Sequence, residues 1–478
     1  MNILIIIFEK LKLNWKYFLI IYLVIDISFT FKQITSLTID GDLSDIVTPA
    51  TNAGKVLKDP FGFNTIKNND TCTGPNRFFV HYTMSNYFTK SPAFFQNFVT
   101  SINSVYVASG VFTLIVILSL LFTLTFFVLG KRNCFKKENL LIICLLFPLV
   151  HIYGFNESMG ITNTAVTYTF FYAFSIIGLF LMYMPFVYAL HKNNILNFSY
   201  KNYLLLIPML VFCAFNGPLL PPLMLIISLF LFVYMWNLVF KNKVKWAKNY
   251  KFIVLNLFIF LTVLFCFYSL FLGTFNQDNT LSNVSIFDRY KKLPIGIIKL
   301  FLMNKSFIYL ALVLLVNFTL IYKLKVNSNF FNIFKWLLAL ILLYILLLPL
   351  GGYRDYRPFI LRNDTALPII LVLFYLFATS TFILIKALNK SIKYFYLVFI
   401  FIFLFVNIDA DGIDKNRNKC EKTALQTIAE SNENVVKLNK NCTVMDWGYS
   451  LKPADSKWNA ILFYHWGITK KVQLYYQE

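Results

Sequence analysis

The residues best suited to chemistry stand at positions 37–50, LTIDGDLSDIVTPA, where Asp40, Asp42 and Asp45 fall within six positions. Carboxylates crowded in this way have two chemical uses. They can bind a divalent cation, or one of them can act as a general base when its neighbours' charge and partial desolvation raise its pKa. Gly41, between the first two, lets the backbone turn sharply and aim both side chains at one point. The plainer reading is a solvated loop, where Asp and Gly are common.

The elements that must carry this segment follow from composition. The chain has 478 residues, of which 58% are hydrophobic, 19% aromatic and only 14% charged. Its mean hydropathy is +0.63. A soluble domain has about 25% charged residues, so a soluble globular enzyme is excluded. The apolar residues come in blocks rather than in alternation, which excludes an outer-membrane barrel and leaves a multi-pass helical membrane protein. The expected fold class is all-α and polytopic, with about eleven transmembrane helices. The first runs from Trp15 to Ile34 and reads as an uncleaved anchor. The third, Leu140 to Tyr153, and the fifth, Tyr203 to Phe215, look short and are followed by the polar turns GFNESMGITN and FNGPLLPP. Short helices of this kind leave a recess, because irregular backbone at membrane depth is tolerated only against a cavity or protein.

The formal charge of +22 is explained by AT-biased coding together with the positive-inside rule, so no nucleic acid is expected as a partner. Lysines sit in alternate loops (Lys131, Lys136 and Lys137; Lys241, Lys243, Lys245 and Lys248; Lys386, Lys390 and Lys393). This pattern predicts a cytoplasmic amino terminus, an extracytoplasmic carboxyl terminus and residence in a bacterial cytoplasmic membrane. Residues 1–408 form the expected transmembrane region, including an external loop at 35–103. Residues 409–478 form a small external α+β domain, with CEKTALQTIAESNENVV as helix and NAILFYHW and KKVQLYYQE as short strands. Cys420 and Cys442 both lie in that tail and are candidates for a disulfide. No metal-type cysteine spacing occurs.

Arginine breaks the lysine pattern. Six of the seven arginines (Arg77, Arg289, Arg354, Arg357, Arg362 and Arg417) fall in segments that the lysines place outside, and three of them share nine residues. Bidentate recognition of phosphate or carboxylate is one reason for such placement. Pairing of Arg354 and Arg357 with Asp355 and Asp364 in a folded loop is the other. His81 is an acid or base candidate, although a lone His is more often structural. Asp26, inside the first span, must face a polar interior or hydrogen-bond another helix. IFDRYKKLPIGIIKLFLMNK reads as an amphipathic helix on the outer surface, an entrance for a lipid-linked substrate or a simple interfacial anchor.

Together, a long first external loop opening with Asp40 and Asp42, about eleven spans, a later surface helix and a small external tail resemble the GT-C superfamily. These are integral-membrane glycosyltransferases that use polyprenyl-phosphate sugars. The chain carries neither a paired DD or DE nor a WWD-type signature. The resemblance implies transfer of a sugar from a polyprenyl-phosphate donor to an envelope glycan, lipid or protein acceptor, on the extracytoplasmic side. By position it assigns base or metal ligation to Asp42 or Asp40, and it admits a divalent cation as cofactor. Arg354, Arg357, Arg362, Arg77, His81 and Glu157 become the candidate substrate-binding residues. Two other classes stay open. A polysaccharide polymerase or ligase would also have many spans and an arginine-bearing external loop. A transporter or flippase of lipid-linked substrates would show similar halves or charges distributed within its spans.

Overall fold

A computed structural model of the chain describes residues 15–48, 53–131, 135–151, 164–192, 200–242, 250–277, 284–326, 328–354, 357–410, 412, 414 and 416–478. Glu157, Asp355 and the whole of the turn GFNESMGITN that follows the third expected span lie outside these residues.

The described helices include α1 (Trp15–Thr35), a short α2 (Asp42–Val47), α3 (Phe78–Phe95), α4 (Ser101–Leu129) and α5 (Lys137–Leu146), with two further short turns of helix at Ala53–Lys58 and Phe63–Lys67. After them come α6 (Val166–His191), α7 (Tyr200–Ala214), α8 (Leu220–Asn242), α9 (Tyr250–Gly273) and α10 (Ile286–Ile297). The series ends with α11 (Lys305–Leu324), α12 (Ser328–Leu347), α13 (Leu367–Ala387) and α14 (Lys390–Ala410). Among the described residues nine helices are long and apolar enough to cross a membrane: α1, α4, α6, α8, α9, α11, α12, α13 and α14. The chain is thus a multi-pass helical membrane protein. The two expected spans that look short in the sequence are the two that fall below that length. One is α5, which tightens into a 3-10 turn at Phe147–Val150 ahead of His151, and the other is α7.

Side-chain distribution follows the solvent. Phe260, Leu315 and Phe401 are exposed on the outer faces of their helices, as expected of surfaces that meet lipid rather than water. The core lies between α4, α6 and α13, where Val116, Leu120, Ile176, Phe186, Phe374 and Phe377 are buried. Helix ends are specified locally. Thr100 accepts from the Asn103 amide to open α4, and Gly130 closes it in a left-handed turn, φ +64°, against the His191 ring. Ser285 accepts from the Asp288 amide at 3.2 Å to open α10, and Asn304 accepts from the Ser306 amide at 3.0 Å to open α11.

The tail folds as α15 (Lys419–Glu430), β1 (Val435–Leu438), α16 (Lys457–His465) and β2 (Leu474–Gln477), with β1 and β2 parallel and Val436 opposite Tyr475. The Cys420–Cys442 disulfide is formed. KKVQLYYQE supplies β2, but NAILFYHW is helical rather than a strand. Its buried residues Asn459, Ala460, Leu462 and Phe463 follow the helical repeat, and Pro453 with Asp455 starts the turn that leads into it. The expected helix over 420–436 ends early, at Glu430, and its last two residues, Val435 and Val436, instead open the second strand, VVKL at 435–438, where burial alternates as in a strand.

Candidate functional site

The acidic segment leaves α1 and runs directly into α2. Asp40 is almost fully buried, and its carboxylate accepts from Thr167 twice, from the hydroxyl at 2.7 Å and from the amide at 3.2 Å. Burial raises its pKa to about 6, the Thr167 bonds pull the other way, and the charge of Asp42 adds to the rise. Asp40 is therefore an anchor. Asp42 is only half-buried, and its Oδ1 accepts from the indole of Trp447 at 2.8 Å. Gly41 does not serve as a sharp turn, since its backbone is ordinary right-handed helix at φ −73° and ψ −19°. It is required by proximity: a Cβ there would sit 2.7 Å from the Trp447 nitrogen and 2.9 Å from the Asp446 Cα. Asp45 and Asp446 both have raised pKa values, caused first by burial, and the charge of Asp42 contributes to each.

The partner segment is the start of α6. Here the helix widens into a π-turn at Thr169–Phe174, a device that re-aims side chains within a helix. Behind it, the FNGP turn after α7 packs on protein: the Asn216 carbonyl accepts from Ser175 at 3.0 Å, and a Cβ on Gly217 would lie 2.9 Å from the Phe171 oxygen. The expected recess at this turn is thus filled by protein. The π-turn and the residues just before it carry Thr167, Tyr168, Phe171 and Tyr172, and each engages one of the candidate groups.

Tyr168 stands between the acids and the arginines. Its ring lies 5.8 Å from that of Trp447, and its hydroxyl accepts from Arg357. The guanidinium of Arg357 is also 3.4 Å from Asp364 Oδ2, while Arg362 Nε is 2.8 Å from Asp364 Oδ1. Tyr172 donates to the same carboxylate at 2.9 Å. Asp364 is buried, whereas Arg357 and Arg362 keep 23% and 30% side-chain exposure. One carboxylate thus faces two guanidiniums. Arg77 joins them from the other side of the π-turn, 5.4 Å over the Phe171 ring. Arg354 belongs to the same loop, and its carbonyl accepts from the Arg357 amide at 3.0 Å.

His81 is buried, packs 5.5 Å from the Phe171 ring, and has its pKa lowered to about 3, first by burial and then by the charge of Arg77. It is held neutral and cannot deliver a proton as an imidazolium near neutrality. Among the described residues no group of three His, Cys, Asp or Glu side chains is placed to hold a metal ion.

The carboxylate that orders this end of the molecule is Glu421, the third residue of α15. It is fully buried and accepts from the Ile39 amide at 3.1 Å, the Tyr106 hydroxyl at 2.7 Å and the Met445 amide at 2.9 Å. One side chain therefore fixes the backbone before Asp40 and the backbone before Asp446 and Trp447. Burial pushes its pKa up to about 7 against those three donors. Residue type and spacing single out none of Glu421, Trp447, Tyr168 and Tyr172 in the sequence. The pair Asp446 and Trp447, an acid beside an aromatic in the tail, was the one legible hint. Comparison of the chain with protein-family models, with curated proteins and with solved structures finds no match.

Proposed function

We propose that the chain is a membrane glycosyltransferase that moves a sugar from a polyprenyl-phosphate donor to an envelope glycan, lipid or protein acceptor on the extracytoplasmic side. The observation that supports this reading best is that two segments far apart in sequence, the acidic one at 40–45 and the arginine loop at 357–364, engage the same short stretch of α6. Thr167 binds Asp40, and Tyr168 binds Arg357.

In this reading Asp42 is the base. It is half-exposed and oriented by the Trp447 indole, while Asp40 is fully engaged and holds the loop. The Asp42 carboxylate takes the proton of the acceptor hydroxyl as that oxygen bonds to the sugar's anomeric carbon. The bond from that carbon to the donor phosphate breaks, and the phosphate leaves with the electron pair. Arg357, Arg362 and Arg77 offset its charge, with Arg357 and Arg362 partly exposed beside Asp364.

The test is transfer from a radiolabelled polyprenyl-phosphate sugar in membranes that contain the full chain. Asp42→Asn keeps the acceptor of the indole bond and removes the base, so transfer falls by about 100-fold or more, with unchanged insertion into the membrane. Transfer at the wild-type rate would sink the assignment.

A further inference from the structure

The long connection between α1 and α4 carries a surface that neither the acidic segment nor the arginine loop uses. Its short helical turns Ala53–Lys58 and Phe63–Lys67 are joined by Asp59, Pro60, Phe61 and Gly62. Asp59 closes this turn on itself, accepting from the Thr65 amide at 2.9 Å and from the Thr65 hydroxyl at 3.0 Å. The two phenylalanines then part. Phe61 turns inward, 5.2 Å from the ring of buried Phe215, whereas Phe63 is 67% exposed.

The turn is fastened to the end of α9. Tyr268 donates to the Phe61 oxygen at 2.7 Å, Asn76 donates to the Ser269 oxygen at 3.1 Å, and the Cys72 amide donates to the Phe275 oxygen at 3.3 Å. Gly62 is left-handed, φ +69°, and the Leu272 side chain occupies the space that a Cβ there would need. These contacts fix the level of Phe63, whose ring lies 6.3 Å from that of Tyr268. Tyr268 stands about 8 Å inside the end of a helix about 36 Å long, where a bilayer has about 30 Å of hydrocarbon. Phe63 is therefore held near the boundary between acyl chains and head groups.

The outer face of α9 runs past that level. Phe260, Leu264, Phe267 and Phe271 recur at helical spacing and all are exposed, with Phe271 nearer the helix end than Tyr268. Phe63 extends this lipid-facing stripe. Lys58 and Lys67 are exposed at the two ends of the turn, where their stems can lie along an apolar surface while the ammonium groups reach water. An exposed aromatic ring at that depth, flanked by lysines and continuous with the lipid-facing side of a span, suits the interfacial zone of a bilayer, where aromatic side chains gather.

We propose that the turn at 59–67 anchors the connection between α1 and α4 in the bilayer interface, with Phe63 seated among the lipids just below their head groups. The same segment continues through Asn76 into α3, whose Ser85 donates to the Val47 oxygen of α2 at 3.4 Å. The anchor thus sets the level at which α3 and the acidic segment stand over the membrane. It is independent of any sugar transfer, and its test uses no donor or acceptor.

The test is fluorine NMR of the full chain in phosphatidylcholine nanodiscs, with para-trifluoromethylphenylalanine in place of Phe63 or, as a control, of Phe94. Phe94 is 59% exposed as well, but it lies about 22 Å along α3 from Phe79, whose amide donates to the Phe215 oxygen. Both labels add little bulk at exposed positions, so the fold is retained. Doxyl-labelled lipid is expected to broaden the signal from position 63 about threefold or more beyond the broadening by a gadolinium chelate in the water, with the order reversed at position 94. A signal from position 63 that follows the pattern of position 94 overturns the anchor, because the ring is then in water. Protection of position 63 from both agents also overturns it and assigns the surface to a protein contact.

Discussion

The middle of the bundle and the end that carries the tail treat polar groups in opposite ways. Within the bundle they are closed on themselves. Asp26 of α1 meets His151 at 2.7 Å with both side chains buried. Asn317 of α11 donates to Ser380 at 2.8 Å and to Thr381 at 3.1 Å, and accepts from Tyr396 at 2.9 Å. At the end, the groups form an open chain running from Asp42 through Trp447 and Tyr168 to Arg357 and Asp364, with Asp42, Arg357 and Arg362 partly exposed. Closed sets hold helices together. Partly exposed charged groups keep a face that a ligand can reach.

The largest effect that separates these regions is on stability. Asp26→Ala strips His151 of a buried partner and is expected to cost about 3 kcal/mol, whereas Asp42→Asn, at a half-exposed position, stays within about 0.5 kcal/mol. Urea or thermal unfolding of both variants in detergent measures this, and equal losses would erase the distinction between the two regions.

A smaller effect belongs to the junction and depends on pH. Glu421 titrates near 4.5 in an unfolded chain and at about 7 in the fold; Asp40 moves in the same direction, from 3.8 to about 6. Because the folded state retains the extra proton, this stabilisation is complete below the lower values and is lost as pH rises through the higher ones. For Glu421 the interval corresponds to about 3 kcal/mol at most. The unfolding midpoint of the wild-type chain should fall between pH 4.5 and 7, and Glu421→Gln should flatten most of that slope. A slope unchanged in Glu421→Gln would assign the effect elsewhere.

The smallest effect is at Trp447, which is 56% exposed. Trp447→Phe removes the indole donor to Asp42 and is expected to cost under about 1 kcal/mol in the same unfolding measurement. A cost as large as that of Asp26→Ala would mean that this contact belongs with the closed sets.

Much of the bundle is legible in the sequence because a helix in lipid satisfies its own backbone, so an apolar run is nearly sufficient evidence for a span. Even the shortness of α5 and α7 is visible there, as is the pairing of Cys420 with Cys442. The site is less legible. Asp40 and Asp42 announce themselves by type and crowding, and the arginines by breaking the lysine pattern. What joins them does not. Thr167, Tyr168 and Tyr172 sit in an ordinary apolar-aromatic run, and the π-turn that aims them has no residue signature. Glu421 occupies a polar position of an amphipathic helix, indistinguishable from its exposed neighbours until α15 is laid against Ile39 and Tyr106. In the sequence Gly41 stands out for its backbone freedom, whereas its role is set by a segment about 400 residues away.

The bond from the Ile39 amide to Glu421 spans 382 positions, and this has a consequence for how the molecule is made. At ~5–20 residues per second, the acidic segment is synthesised and inserted roughly half a minute before its partner exists. Until α14 has crossed and α15 has docked, Asp40 has Thr167 but nothing fixes the strand ahead of it, and Asp42 has no indole to meet. The arrangement around Asp42 would therefore be the last thing to mature, and a chain interrupted before residue 419 would insert its spans without it.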